Sequence, residues 1–418
     1  MKKAIILVLA VLAVLAACNA GAAELKAGVG RAEIVAPPGM PLSGYGDRIN
    51  KPNTGVHDAV YARALVLESG GKRAGVVSAD ILMMSRELHQ EVADRVKDLD
   101  LDFLAISCTH THYSIGAYVD NKVAEIAVMG KYDPAAFEIV ADAMARAVRE
   151  AAADQRPAHV GAASGPAPAV THNRRHEGGP TDPAIRVLGL WDADGKLMAV
   201  IMNHAIHPTT MPSRTTLVSG DVAGRAEAWM EERHPGAVAM FMNAGLGDQS
   251  PYLPGMKDSW EKVAAIGERM AERSEQILDS IQPSADVDLT LYDRKFDMPS
   301  VYLRPSFQCW GGLNQLFRVI GGDMMRKEGE VMGIGLNQAL FLFSAGELAY
   351  QVQADLEQMF PDRLVFVAVH SNDIYGYVVT PEDYKTGGYE TCMSFYGPDF
   401  ATVLEDEFKQ MVGEAPRM

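Results

Sequence analysis

The chain has 418 residues, 48% of them hydrophobic, and a formal net charge of −16 from 38 Lys and Arg against 54 Asp and Glu. An acidic chain with no basic stripe cannot offset phosphate charge, which excludes nucleic acid as a partner. After the first residues no long apolar run occurs, so the remainder reads as a globular body with room for a large core.

In chain order, Lys2 and Lys3 precede an unbroken apolar stretch, Ala4 to Ala16. It is too short to span a membrane well and has the form of an export signal. It ends in Leu15-Ala16-Ala17-Cys18, which has the form of a bacterial lipobox with Cys18 as the acylated residue. Ordinary cleavage in the Ala-rich segment 20–23 is the alternative. Asn19 suits passage to an outer membrane. The expectation is a signal peptide over 1–23 with the lipobox at 15–18. The protein is then exported, either periplasmic or anchored to a membrane surface through lipidated Cys18, or otherwise secreted.

Ala62–Glu68 and Arg73–Ala79 flank a Gly-Gly pair and predict a hairpin. A helix follows near Ser85–Lys97, with Leu88, Val92 and Val96 on one face. Phe103–Ser107 is a predicted strand and Pro134–Ala152 a long Ala-rich helix. Ile185–Trp191 and Leu197–Met202 flank Asp-Ala-Asp-Gly, a strong hairpin signal. Further on, Asp221–Arg233 is expected to be helical, Ala237–Met242 a strand and Ser259–Ile281 a long helix. Strands are expected over Val287–Phe296 and Val331–Phe343, a helix over Leu348–Met359, a strand over Leu364–Val369 and a closing helix over Phe400–Val412. This alternation predicts an α/β fold of mixed sheets flanked by helices. Three thiols follow Cys18, namely Cys108, Cys309 and Cys392. Cys309–Cys392 is one available bridge, which spacing alone does not establish.

Four polar clusters sit just after apolar strands: Cys108–Ser114, His204–Met211, Asn243–Pro251 and Ser371–Tyr377. Ligand sites of open α/β sheets lie outside the strand ends, so the four point to one shared pocket. In the first, His110 and His112 are two apart and share a face if the segment is extended. Both could approach one metal, or one could bind metal while the other moves a proton. Two solvated or capping histidines are the plain alternative. His204 and His207 form a second pair, with Pro208 stopping any helix. The Gly-rich Gly245–Pro251 loop carries Ser250, a contact or nucleophile outside any Gly-X-Ser-X-Gly elbow. Glu347 follows another apolar run, as a metal ligand or a helix-start acid. Tyr377 and Tyr389 read locally as packing residues.

In their order, these segments resemble the N-terminal catalytic domain of the neutral/alkaline non-lysosomal ceramidases. The resemblance runs from Gly28-Val29-Gly30-Arg31-Ala32-Glu33 through Ser43-Gly44-Tyr45-Gly46, Val56-His57-Asp58 and Thr109-His110-Thr111-His112. It continues through Asn173-Arg174, Ile206-His207-Pro208, Ser219-Gly220-Asp221 and Gly247-Asp248-Gln249-Ser250-Pro251. Gly346-Glu347, Tyr377-Val378-Val379-Thr380, Tyr389-Glu390 and Tyr396-Gly397-Pro398 complete it. The resemblance implies a zinc ion held by His110, His207, Glu347 and Tyr377. It also implies proton transfer by His112, oxyanion stabilisation by Arg174 and Tyr389, and substrate contact by Ser250. His204 becomes structural. The implied reaction is hydrolysis of the amide bond of ceramide or a related N-acyl lipid by a metal-activated water. The implied organisation is a single catalytic domain over 24–418, without the family's C-terminal immunoglobulin-like domain. Gln249, Tyr252 and Tyr113 depart from the usual motifs, which keeps open the same chemistry on a more polar amide or ester. A non-catalytic, ligand-binding lipoprotein is the reading from another class.

Overall fold

The computed structural model describes residues 24–304, 309 and 325–414. The expected signal segment and Cys18 lie outside the described residues. Eight strands form the larger sheet: Lys26–Glu33 (β1), Tyr61–Ser69 (β2), Lys72–Ala79 (β3), Phe103–Cys108 (β4), Arg156–Pro166 (β5), Ala184–Asp192 (β6), Leu197–His204 (β7) and Val238–Asn243 (β8). Their spatial order is β8-β7-β6-β5-β1-β2-β3-β4. A four-stranded sheet holds Leu289–Asp297 (β9), Glu328–Leu336 (β10), Ala339–Phe343 (β11) and Leu364–Ala368 (β12), in that order. The longer helices are Arg86–Arg95 (α1), Pro134–Ala153 (α2), Asp221–Arg233 (α3), Trp260–Leu278 (α4), Tyr350–Met359 (α5) and Phe400–Gly413 (α6).

Side-chain alternation sorts the layers. Leu65, Leu67, Val76 and Phe103 of the large sheet meet Phe341, Phe343 and Phe366 of the small one, so the two sheets share one apolar interior. The opposite face of the large sheet offers Ala62, Ala64, Val66 and Ile106 to α1 and α2, and Val187, Val200 and Phe241 to α3 and α4. The outer face of the small sheet offers Leu340, Leu342 and Val367 to α5 and α6. The result is a helix–sheet–sheet–helix sandwich.

Local chemistry explains the closest contact. The side chain of Asp133 caps α2 by accepting from the Ala135 N–H, and Pro134 occupies its first turn. The Ala-rich face of α2 then rests on β1, where Gly28 and Gly30 leave no Cβ. A Cβ at those positions would stand 2.1 Å from the Ala151 carbonyl oxygen and 2.2 Å from that of Ala147. These glycines set the helix–sheet distance.

Three strand–helix–strand units run parallel: β3-α1-β4, β7-α3-β8 and β11-α5-β12. The carboxyl ends of β4, β7, β8 and β12 carry the four polar clusters and that of β11 leads to Glu347, so the sheet order gathers what the sequence separates.

The expected hairpins and most helices are present. The expected strand over Val331–Phe343 is instead a hairpin, β10 and β11, turning at Asn337, whose φ of 53° is the left-handed value that such tight turns need. The helix expected from Leu348 begins at Tyr350, because Gly346–Leu348 pairs in parallel with Gly376–Val378. Cys309 and Cys392 are disulfide-bonded, and Cys108 is a buried free thiol.

Candidate metal centre

His110 stands in the left-handed region, with φ 66°, immediately after β4. That turn points its ring inward, and Nδ1 meets the carbonyl of Leu82 at 2.7 Å. His207 follows β7, and its Nδ1 lies 3.2 Å from the carbonyl of Leu246. A carbonyl can only accept, so each Nδ1 carries the proton and each Nε2 presents a bare lone pair. The two Nε2 atoms are 3.2 Å apart, and the Nε2 of His112 is also 3.2 Å from that of His110.

Glu347 enters from the short strand after β11. Its Oε1 is 3.8 Å from His110 Nε2 and 3.7 Å from His207 Nε2. That Oε1 atom is buried with no hydrogen-bond partner. Burial pushes the Glu347 carboxyl up to about 8, against the pull of Arg174 and of a hydrogen bond from Tyr377. Burial also holds His110 down at about 3, so that ring is neutral.

These atoms fit a metal ion. Converging lone pairs repel unless a cation sits among them, and a buried partnerless carboxylate oxygen costs about 1–3 kcal/mol or more. Two ligands on a tetrahedral ion at about 2.1 Å stand roughly 3.4 Å apart, close to the separations here. His110, His112 and His207 form one group of ligand atoms within 4.8 Å of one another, and His110, Glu347 and His370 form a second.

Tyr377 is opposite Glu347 in the register of the short parallel pair. Its hydroxyl accepts from Arg174 Nη2 at 3.0 Å. The Arg174 guanidinium is fixed by Glu390 Oε1 at 2.9 Å, and its Nη1 lies 3.4 Å from His207 Nδ1. Arg175 grips the other Glu390 oxygen at 2.6 Å and the carbonyl of Asp383, pinning the Arg174 loop to the segment that carries Tyr389. Tyr389 is 55% exposed and edge-on to Tyr377, which places it at the rim.

His112 is buried beside the cluster. Tyr45 packs edge-on to its ring, and Arg48 donates to its carbonyl. Gly44 (φ 102°) lies directly beneath, where a Cβ would stand 2.4 Å from the His112 ring.

The structure thus brings together His110, His112, His207, Glu347, Tyr377 and Arg174, with Tyr389 at the edge. Ser250 is half-buried in the short ladder opposite His172. Among the described residues no hydrogen bond joins its hydroxyl to the cluster. His204 is buried against the carbonyl of Ala184 (3.0 Å) and the Asp182 carboxylate (3.4 Å), away from the cluster.

Three contributors escape sequence reasoning. Asn243, at the end of β8, donates to the carbonyls of Thr109 (3.0 Å) and Ile206 (2.6 Å), tying the two histidine loops together. Glu390 braces both Arg174 and Arg175, a role that its place in a motif does not reveal. His370 directly precedes the fourth polar cluster and stacks on His110.

Comparison with known proteins bears on the family and the fold. Residues 25–286 match the family model for neutral/alkaline non-lysosomal ceramidase, N-terminal. The neutral ceramidase of Drosophila melanogaster is 30% identical over 282 residues, covering 60% of this chain and 39% of the relative. That of Pseudomonas aeruginosa is 26% identical over 309 residues, covering 67% and 46%. The chain therefore spans less than half the length of these curated relatives. The crystal structure of the Pseudomonas aeruginosa neutral ceramidase superposes with a TM-score of 0.80 at 22% identity, over 93% of this chain and 74% of that one. A ceramidase complexed with C2 gives 0.77 at 20%, over 93% and 75%. These two structural likenesses show the fold. With the family model matched over more than half of its length, the chain belongs to the neutral/alkaline non-lysosomal ceramidase family.

Proposed function

We propose that the protein is an exported, zinc-dependent amidohydrolase that cleaves the amide bond of ceramide or a related N-acyl lipid. The observation that carries this reading is the convergence of the bare Nε2 atoms of His110 and His207 on the partnerless Glu347 Oε1. The family membership and the relatives named neutral ceramidase support it. Export, and a lipid anchor at Cys18, rest on the N-terminal sequence alone.

His110, His207, Glu347 and Tyr377 would hold the ion. Zinc in such an open site supplies Lewis acidity to a carbonyl and lowers the pKa of a water to about 7. Arg174, held rigid by Glu390, directs positive charge toward the place where an amide oxygen becomes anionic. Tyr389, at the rim, completes that oxyanion contact. His112 accepts the proton of the attacking water and returns it to the leaving nitrogen, so the amine departs neutral. Ser250 contributes substrate contact from the neighbouring ladder.

Gly44→Ala tests the role of His112 without touching a metal ligand. The added methyl must displace the His112 ring. A kcat loss of at least about tenfold is expected, within the roughly 10²–10⁴-fold that general acid–base groups contribute. Zinc content should stay unchanged. Unaltered kcat would show that the position of His112 does not matter.

The direct test is hydrolysis of a defined ceramide by the purified protein, followed as released fatty acid. Activity should vanish on chelation and return with zinc. Arg174 stands beside the cluster with a nitrogen 3.0 Å from the Tyr377 hydroxyl, a charged neighbour that favours a second reading with a more polar substrate. Turnover of short N-acyl amides with none of ceramide would establish that reading. No hydrolysis of any amide or ester would refute an enzyme.

A further inference from the structure

His370 belongs to none of the motifs that suggest the family, yet it is among the most constrained side chains near the cluster. It is 4% exposed and stands at φ 51°, the same left-handed region as His110. Its ring lies parallel to that of His110, with centroids 4.1 Å apart and planes 7° apart. Its Nε2 is buried with no hydrogen-bond partner and lies 3.6 Å from Glu347 Oε2.

Two roles compete. An imidazole binds metal along a lone pair in its own ring plane. In two parallel, stacked rings these directions run side by side and do not meet on one ion. His370 is therefore not a further ligand of an ion held by His110 Nε2. The Glu347 carboxylate divides its two oxygens instead: Oε1 faces His110 and His207, and Oε2 faces His370.

We propose that His370 is a positioning residue that donates its Nε2–H to Glu347 Oε2 and so fixes which carboxylate oxygen, Oε1, meets the metal. This rests on the zinc reading of the site. At 3.6 Å the pair stands outside hydrogen-bond distance, and a shift of roughly 0.5 Å closes it. Both groups gain from that shift: a buried unpaired donor acquires an acceptor, and a ligand carboxylate loses rotational freedom before the ion binds. The stack on His110 keeps the donor in place, so the same side chain steadies two ligands.

The test separates donation from packing. His370→Phe keeps an aromatic ring against His110 but has no donor. His370→Gln restores an N–H without the ring. Zinc affinity is read by competition with a chromophoric chelator, and the site geometry by the visible absorption of the cobalt(II)-loaded protein. His370→Phe should lower zinc affinity about 10–100-fold, the usual effect of losing an outer partner of a metal ligand, and change the cobalt spectrum. His370→Gln should recover most of the affinity and the original bands. Wild-type affinity in His370→Phe overturns the proposal, as does failure of His370→Gln to recover where His370→Phe is impaired. Two ions bound by the wild type and one by His370→Phe would make His370 a ligand and overturn it as well. If the wild type binds no zinc or cobalt, the metal site itself is refuted and this role with it, an outcome distinct from the others.

Discussion

His207→Ala is expected to strip the protein of its metal and to reduce amide hydrolysis well beyond the roughly 10–100-fold carried by outer partners of a metal ligand. The His207 ring cannot be replaced by a neighbour. Its backbone N–H donates to the Gln249 carbonyl at 2.8 Å, its Nδ1 is held by Leu246, and its Nε2 is one of two atoms facing Glu347 Oε1. Without it, the set falls to His110, Glu347 and Tyr377, with one imidazole where there were two, which holds an ion less tightly. His204→Ala is the matched control. That histidine lies three residues earlier and is fully buried against Asp182 and the Ala184 carbonyl. Its loss should lower thermal stability and leave zinc stoichiometry intact. The two are distinguished by metal content after gel filtration. Equal zinc retention in both variants would remove His207 from the site.

The second large effect concerns stability and lies behind the site. Arg63, on β2, is 2% exposed and meets Asp80 at 2.8 Å, Glu227 at 2.7 Å and Glu231 at 3.1 Å. It joins α3 to the large sheet, and α3 follows the Ser219-Gly220 turn that receives the Thr111 hydroxyl at 2.8 Å. Arg63→Met leaves Asp80 and Glu227 without their cation, while Glu231 keeps Arg31, and should cost about 3–5 kcal/mol, the usual penalty for breaking a buried ion cluster from one side. The pH dependence has a definite sign. Burial already raises the Glu227 carboxyl well above 4.5, and Arg63 opposes that rise. In Arg63→Met the folded-state value climbs further. Below 4.5 the carboxyl is protonated in both folded and unfolded chains, so the loss is smallest there. It grows as pH rises from the unfolded value through the folded one, because the unfolded carboxyl ionises while the buried one keeps its proton, and it levels off above. Urea midpoints across this range measure it. A flat pH dependence, or no loss, would show that the guanidinium does not neutralise the cluster.

Much of this was legible in the sequence because the signals were local. Hairpins at 62–79 and 185–202 declared themselves by strand alternation around Gly-rich turns. His110, His207 and Glu347 stood out as polar residues closing apolar strands, which is where parallel sheets place ligand sites. Weaker signals hid other parts. Arg156–Pro166 has too many small residues and too little apolar alternation to read as a strand, and it gains its place by pairing with Ala184–Asp192 and with the start of β1. Gly28 and Gly30 carry no side-chain alternation, yet they make a strand that a helix can approach closely. His370 had no local mark. Its importance comes from stacking on a residue 260 positions earlier, which only the tertiary fold supplies. Asn243 and Glu390 act in the same way, by joining loops that are distant in sequence.

The proposed chemistry requires a zinc ion among these side chains. Diffraction from zinc-loaded crystals, recorded on either side of the zinc absorption edge, tests it directly. One anomalous peak is expected between His110 Nε2, His207 Nε2 and Glu347 Oε1, within reach of the Tyr377 hydroxyl. No peak there, or a peak on other residues only, would contradict the account.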